Sequence, residues 1–153
     1  APGPQLKVVA GYRDGYKAEV TWGFSWPDAW DKAQAAQAMI RAELARRRVP
    51  HDELFVEYPG LNAAHGPLAP LPDAEALNGL NEIWTRLVLR TPDRAAAENF
   101  GRLFPWLALS GPAFTSGFSG LHGASELLGI WPTLVDRVSV EAGVTLDWLE
   151  AGA

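Results

Sequence analysis

The chain has 153 residues, of which 48% are hydrophobic and 20% charged, a composition that predicts one globular domain with a buried core. Its 13 basic and 18 acidic side chains give a formal charge of −5, which argues against nucleic acid as a partner. Because the chain contains no cysteine, disulfides, thiolate metal sites and cysteine nucleophiles are excluded within it.

The apolar segments and the two ends bear on location and domain organisation. No apolar run approaches the roughly 20 residues of a membrane helix, and no signal peptide is visible. We therefore expect a cytoplasmic protein with no membrane partner. Residues 1–6 resemble a linker and residues 146–153 a tail. We interpret residues 7–145 as a single α+β domain, the C-terminal part of a larger protein.

The first predicted element is a β-hairpin formed by residues 7–13 and 16–24. Asp14-Gly15 lies between the two strands, and this pair is favoured in tight turns that need a positive φ. In the second strand, alternate residues from Tyr16 to Phe24 are apolar, whereas most of the residues between them are polar. This period of two predicts one buried face and one face in water.

A long helix is predicted over residues 26–48. Ser25 is the candidate cap, and Pro27 falls in the first turn, where proline is favoured. The run Arg46–Arg48 lies in the last turn, where positive charge complements the helix dipole. Contact with nucleic acid is the alternative interpretation of these arginines. Pro50 then ends the helix.

The rest of the chain predicts two strands, a long loop, a second helix and a final strand. The strands cover residues 53–58 and 81–90 and are separated by a loop rich in Pro, Gly and Ala over residues 59–80. The second helix covers residues 92–104, and the last strand covers residues 134–142. This order predicts an α+β fold of the ferredoxin-like type, with two helices on one face of the sheet.

Apolar faces of these elements predict the core. The residues expected to meet there are Trp22, Trp30, Ile40, Leu87 and Phe100. Arg86 and Arg90 share the opposite face of strand 81–90. They either bind a carboxylate ligand or pair with acidic residues on neighbouring strands.

The stretch from Gly111 to Gly120 is the strongest candidate for a binding site. It combines glycines with hydroxyl side chains, and exposed amides and hydroxyls hold a carboxylate or phosphate without any lysine. We predict Thr115, Ser116 and Ser119 as ligand-binding residues, together with Arg137 from the last strand.

A purely structural role is the alternative for the same stretch. In that case its glycines serve chain geometry, and Phe114 and Phe118 fill the core.

The sequence lacks the signatures of a catalytic or metal site. His51, His65 and His122 have no companion at metal-binding spacing, so we predict no metal. There is no G-x-S-x-G, P-loop or G-x-G-x-x-G motif. The catalytic residues therefore stay unassigned, and we predict no cofactor within this chain.

A series of motifs, taken in order, resembles the acyclic terpene utilisation (AtuA-like) family. They are Val9-Ala10-Gly11-Tyr12, Glu57-Tyr58-Pro59-Gly60-Leu61-Asn62, Thr85-Arg86-Leu87-Val88-Leu89-Arg90, Ser110-Gly111-Pro112-Ala113-Phe114-Thr115-Ser116-Gly117-Phe118 and Leu134-Val135-Asp136-Arg137-Val138-Ser139-Val140. The resemblance implies the C-terminal part of a longer protein that also has an N-terminal α/β domain. That domain or a companion chain is then the expected partner, in an oligomer.

The resemblance also implies a function. It points to the catabolism of branched organic acids or their coenzyme A thioesters, so that a coenzyme A thioester is a candidate substrate. It carries over no reaction and no catalytic residue. The alternative is a non-catalytic assembly domain that packs on a separate catalytic domain or chain, which the seven tryptophans favour.

Overall fold

A computed structural model describes residues 3–121 and 123–147. Five strands and five α-helices follow one another along this part of the chain: β1 (Gln5–Ser25), α1 (Ala29–Arg46), β2 (Glu53–Glu57), α2 (Ala74–Asn78), β3 (Glu82–Thr91), α3 (Arg94–Asn99), α4 (Leu107–Ser110), β4 (Thr115–Ser119), β5 (Ser125–Asp136) and α5 (Arg137–Glu141). Short 3₁₀ helices cover Gly66–Leu68 and Phe100–Leu103.

The chain divides into two compact units. Residues 14–127 form the larger unit, and the two ends of the chain, residues 1–13 and 128–153, form the smaller one. The domain boundaries expected after residue 6 and residue 145 stay predictions, and residues 148–153 of the expected tail lie outside the described residues. Within the described ranges, no helix is both long enough and apolar enough to cross a membrane.

The larger unit is built on an antiparallel sheet with the strand order β2-β3-β1-β4. β1 pairs with β3 from Tyr16 opposite Thr91 to Ser25 opposite Glu82. β2 pairs with the outer edge of β3, and β4 pairs with β1 near Thr21. The predicted mixture of helices and antiparallel strands is therefore confirmed, whereas the ferredoxin-like topology stays a prediction.

One hydrophobic core joins the sheet to the helices. Alternate residues of β1 from Ala18 to Phe24 and of β3 are buried, as their period of two predicts, and they meet the apolar face of α1. Of the five residues predicted to share a core, Trp22, Ile40, Leu87 and Phe100 are buried in it. Trp30 is half-buried and packs against the same cluster.

The predicted hairpin is wrong, because β1 runs without a turn through Asp14-Gly15. Gly15 does have a positive φ of 85°, and a Cβ atom built there would lie 2.7 Å from the carbonyl oxygen of Thr91. The glycine therefore allows a close approach to β3 instead of a chain reversal. Asp14 accepts a hydrogen bond from Arg90 at 2.9 Å across the same pair of strands.

The smaller unit consists of a β-ribbon followed by α5. We call residues 5–13 of β1 together with residues 128–136 of β5 the ribbon. β5 pairs with β1, and an antiparallel arrangement follows from the close approach of Gly129 to the ring of Tyr12 and from the hydrogen bond of Arg137 to Pro4. Pro132 lies in the middle of β5.

Both boundaries of the predicted last strand, residues 134–142, are wrong, because β5 begins at Ser125 and ends at Asp136. Residues 134–136 do end a strand, but residues 137–141 form α5. α5 is a single helical turn, so its five residues carry too few positions for a helical period to appear in the sequence.

Candidate functional site

The three hydroxyl residues of the predicted site lie on β4, which pairs with β1. Ser119 stands opposite Thr21, and Thr115 stands opposite Phe24. Residues 115–119 of the Gly111–Gly120 stretch therefore form a strand, which the sequence did not predict. The signal for a strand was weak, because Gly117 interrupts a segment that is only five residues long.

Ser116 has a structural role in the described fold. Its hydroxyl accepts a hydrogen bond from the backbone amide of Gly23 at 3.0 Å and donates to the carbonyl of Gly117 at 2.8 Å. Both capacities of the hydroxyl are thus in use where β4 meets β1. Thr115 and Ser116 line a cavity of about 170 Å³, which is small for a ligand site.

Ser119 lines a second and more polar cleft, which we call the serine cleft. Its volume is about 320 Å³, and its polar lining consists of Lys17, Glu19, Thr21, Ser119 and Ser125. The ammonium group and the hydroxyls suit an anionic group. The Glu19 carboxylate opposes one, but it lies 3.9 Å from the guanidinium of Arg86, which offsets part of its charge. The signal that sequence analysis missed is Lys17, which lies on the polar side of β1.

The two phenylalanines of the stretch have different environments. The ring of Phe118 packs on Trp22 at 4.8 Å and on Phe104 at 5.9 Å between centroids, so the structural alternative is correct for this residue. Phe114 is 69% exposed, so the same alternative is wrong for it. Its φ of 58° is left-handed, and the Lys32 ammonium lies 5.2 Å from its ring centroid.

Arg137 belongs to the smaller unit, whereas the three hydroxyl residues belong to the larger one. Its guanidinium donates to the carbonyl oxygen of Gly3 at 2.9 Å and lies 3.2 Å from a carboxylate oxygen of Glu141. These bonds tie the start of the chain to α5. They give Arg137 a structural role within its own unit.

Arg86 and Arg90 pair with acidic residues, as one of the two alternatives predicted. Arg86 lies 2.8 Å from a carboxylate oxygen of Glu57 on β2, and Arg90 lies 2.9 Å from Asp14 on β1. These ion pairs cross neighbouring strands on the polar face of the sheet. Each guanidinium group thus has an acidic partner within the larger unit, whereas its buried Nε atom has no hydrogen-bond partner among the described residues.

Tyr58, which directly follows β2, is an ionisable residue of the core. Burial raises the pKa of Tyr58 above its usual range. The hydroxyl of Tyr58 accepts a bond from Gln34 and donates one to Gln37, each at 2.7 Å, so it ties β2 to α1. Among the residues that the structure describes, no group of three histidine or acidic side chains is placed to hold a metal ion. His122 lies outside them.

Sequence analysis missed a cleft at the end of α1. It has a volume of about 400 Å³ and lies between Arg47–Pro50 and the segment from Asp93 to Leu103. Arg47, Arg48 and Arg102 line it, and we call it the arginine cleft. The sequence offers no spacing that joins Arg102 to the end of α1, because the two are brought together only by packing.

Comparison with known proteins identifies a family. The sequence model of the acyclic terpene utilisation family protein AtuA matches residues 1–146. A search of curated proteins and a search of solved structures each give no match. The family match covers nearly the whole chain and agrees with the resemblance of its motifs. The chain therefore belongs to the acyclic terpene utilisation AtuA family.

Proposed function

We propose that this AtuA-family chain is an assembly domain that joins a second copy of itself through the ribbon. The observation that carries the proposal is the exposure of large apolar side chains on β5. Leu128 is 72% exposed, Ile130 is 70% exposed and Trp131 is 65% exposed, and Leu134 is exposed to a similar extent. Val9 and Tyr12 on the other strand of the ribbon are exposed as well.

The sequence of β5 is that of a strand that is covered on both faces. Residues 127–135 are apolar almost without interruption, a pattern typical of strands buried on both sides. Alternation along the strand places Ile130 and Leu134 on one face and Trp131 on the other. A two-stranded ribbon is at best marginally stable alone in water. Burial of both faces against another surface would therefore stabilise it.

Charge favours a second copy as the surface that covers the ribbon. The smaller unit contains three basic and four acidic side chains, so it carries only −1 of the net −5 of the chain. Two copies can therefore meet there with little repulsion. A standard interface takes roughly 800 Å² from each partner, and the exposed apolar residues of the ribbon lie on both of its strands. Symmetric pairs are also the commonest homo-oligomers.

The test compares the mass of the chain in solution with that of two variants. We expect the parent chain to be a dimer by light scattering coupled to gel filtration. The double variant Ile130→Lys with Leu134→Lys places two ammonium groups in the interface and should be monomeric. Leu109→Lys is the matched control, because Leu109 is exposed in the larger unit, and it should remain dimeric. Circular dichroism checks that each variant is folded.

Two results would contradict self-association through the ribbon. The first is a parent chain that stays monomeric at the highest soluble concentration. If that monomer instead forms a one-to-one complex with an α/β companion chain, the companion covers the ribbon. The second is a control variant that dissociates as readily as the ribbon variant.

The polar serine cleft and the family description support a second proposal. We propose that the assembly serves the catabolism of branched organic acids or their coenzyme A thioesters, since the family is described by acyclic terpene utilisation. Lys17 and Ser119 are then the residues that hold the anionic group. We also propose that the core is ferredoxin-like, which the strand order β2-β3-β1-β4 supports. A cytoplasmic location is part of the same proposal.

A substitution at Ser119 tests this second proposal. Ser119→Asp places a negative charge beside Lys17, so it should abolish binding of a short branched acid or its coenzyme A thioester in a calorimetric titration. Ala113→Asp, at an exposed position outside the cleft, is the control and should bind like the parent. If the parent and Ser119→Asp bind the acid or its thioester with equal affinity, the serine cleft is not the binding site.

A further inference from the structure

We propose that the arginine cleft binds a small organic anion, with a carboxylate or phosphate head held by Arg48 and Arg102 and an apolar body on the cleft floor. The cleft lies wholly within the larger unit, between the end of α1 and the segment formed by α3 and the following 3₁₀ helix. The inference is independent of both the ribbon and the serine cleft.

The three arginines at the end of α1 do not share the same partner. Arg46 and Arg47 both donate to the carboxylate of Glu43, one turn earlier in the helix. Arg48 follows them but lines the cleft without joining this cluster. Across residues 3–121 and 123–147, neither the side chain of Arg48 nor that of Arg102 forms a hydrogen bond or an ion pair, although the backbone amide of Arg48 donates to the carbonyl of Ala45.

The backbone at Arg48 is a second, independent observation. Its φ of 52° lies in the left-handed region, at the position after a helix where glycine is the usual residue. A long charged side chain in this conformation is strained and uncommon. The strain is consistent with a requirement for the guanidinium at the mouth of the cleft, since glycine would satisfy the backbone alone.

The acidic residue of the cleft already accepts hydrogen bonds from the backbone. Asp93 is the acidic residue of the lining, and its carboxylate accepts the backbone amides of Ala95 at 2.8 Å and Ala96 at 3.4 Å. It therefore caps α3, and that role reduces its repulsion of an incoming anion. The lining contains three arginines and Asp93, so it is positive overall, although the chain as a whole is acidic.

The remaining lining sets the class of ligand. Val49, Ala95, Ala96, Phe100 and Leu103 provide apolar contacts beside the arginines. The volume of about 400 Å³ falls within the roughly 300–1,000 Å³ of small-molecule sites. An apolar floor with two unpaired guanidinium groups at its edge fits an amphipathic anion better than a simple inorganic ion.

The experiment uses octanoate, neutral octanol and inorganic phosphate as probes in calorimetric titrations. We expect octanoate to bind the parent chain and to lose about tenfold or more in affinity in either Arg48→Gly or Arg102→Gln, as expected for a lost charge-assisted bond. Arg48→Gly suits the left-handed backbone, so it removes the charge without straining the fold. Arg94→Gln is the control, because it removes an arginine of α3 outside the cleft and should leave binding unchanged.

Each outcome decides a part of the proposal. Phosphate that binds as tightly as octanoate, with the same loss in both variants, supports the anion site and assigns recognition to the head group. Octanol that binds as tightly as octanoate overturns the role of the arginines. No binding of octanoate or phosphate at millimolar concentration overturns the site itself.

Discussion

Glu43 controls the charge at the end of α1. Its carboxylate receives the guanidinium groups of Arg46 and Arg47, and these bonds lower the pKa of Glu43 from 4.5 to about 2. Two of the three consecutive arginines are thereby neutralised in part. Arg48 is not paired with Glu43, and the left-handed backbone places it at the arginine cleft.

The lowered pKa of Glu43 predicts a pH dependence of stability. Because the folded state favours the ionised carboxylate, its contribution is complete above pH 4.5 and is lost as the pH falls towards 2. Glu43→Gln should therefore lower the urea midpoint at pH 7, and its difference from the parent should shrink between pH 4.5 and pH 2. Glu98→Gln, which removes an exposed carboxylate paired with Arg94, is the control. A difference that stays constant down to pH 2 would contradict the assignment.

At the level of secondary structure, the short segment after α3 contributes more to the core than its length suggests. Phe100 is buried and meets Phe104 edge to face at 5.2 Å between ring centroids. The same ring also contributes to the floor of the arginine cleft. The packing of this segment therefore both closes the core and shapes the cleft.

Truncation of Phe100 tests this role. Phe100→Ala leaves a cavity in a closely packed core, and we expect it to lower the free energy of unfolding by roughly 3–5 kcal/mol. Phe114→Ala removes a phenylalanine that is largely exposed and should cost less than about 1 kcal/mol. The measurement is urea denaturation followed by tryptophan fluorescence. Equal midpoints for Phe100→Ala and the parent would show that the core is assigned incorrectly.

The errors in the predicted elements have physical causes. Asp14-Gly15 has the chemistry of a tight turn, but the residues on either side continue one strand because β3 pairs with Tyr16 onward. Whether a left-handed glycine reverses the chain or admits a neighbouring strand depends on tertiary contacts. Strands with alternating faces and long helices were predictable from local periodicity. The segment after residue 136 forms a helix of only five residues, which is too short for the hydrophobic period to distinguish a helix from a strand.

On the scale of the whole molecule, the core was predictable and the clefts were not. Trp22, Ile40, Leu87 and Phe100 lie on periodic apolar faces, so their burial follows from the sequence. The predicted site residue Ser119 does line a polar cleft, but Lys17 in the same cleft is far from Ser119 in the sequence. Arg48 and Arg102 likewise meet only through packing. Side chains far apart in sequence leave no periodic signal.

Pro132 has a consequence for how copies of the chain can associate. An exposed strand edge invites further strands to add by backbone pairing, which leads to open-ended fibres. Proline has no backbone N–H and is tolerated in a strand where its nitrogen faces away from the paired neighbour. The free edge of β5 thus lacks a donor at its centre. Growth by strand addition is disfavoured there, and association is directed to the apolar faces, where it can stop at a pair.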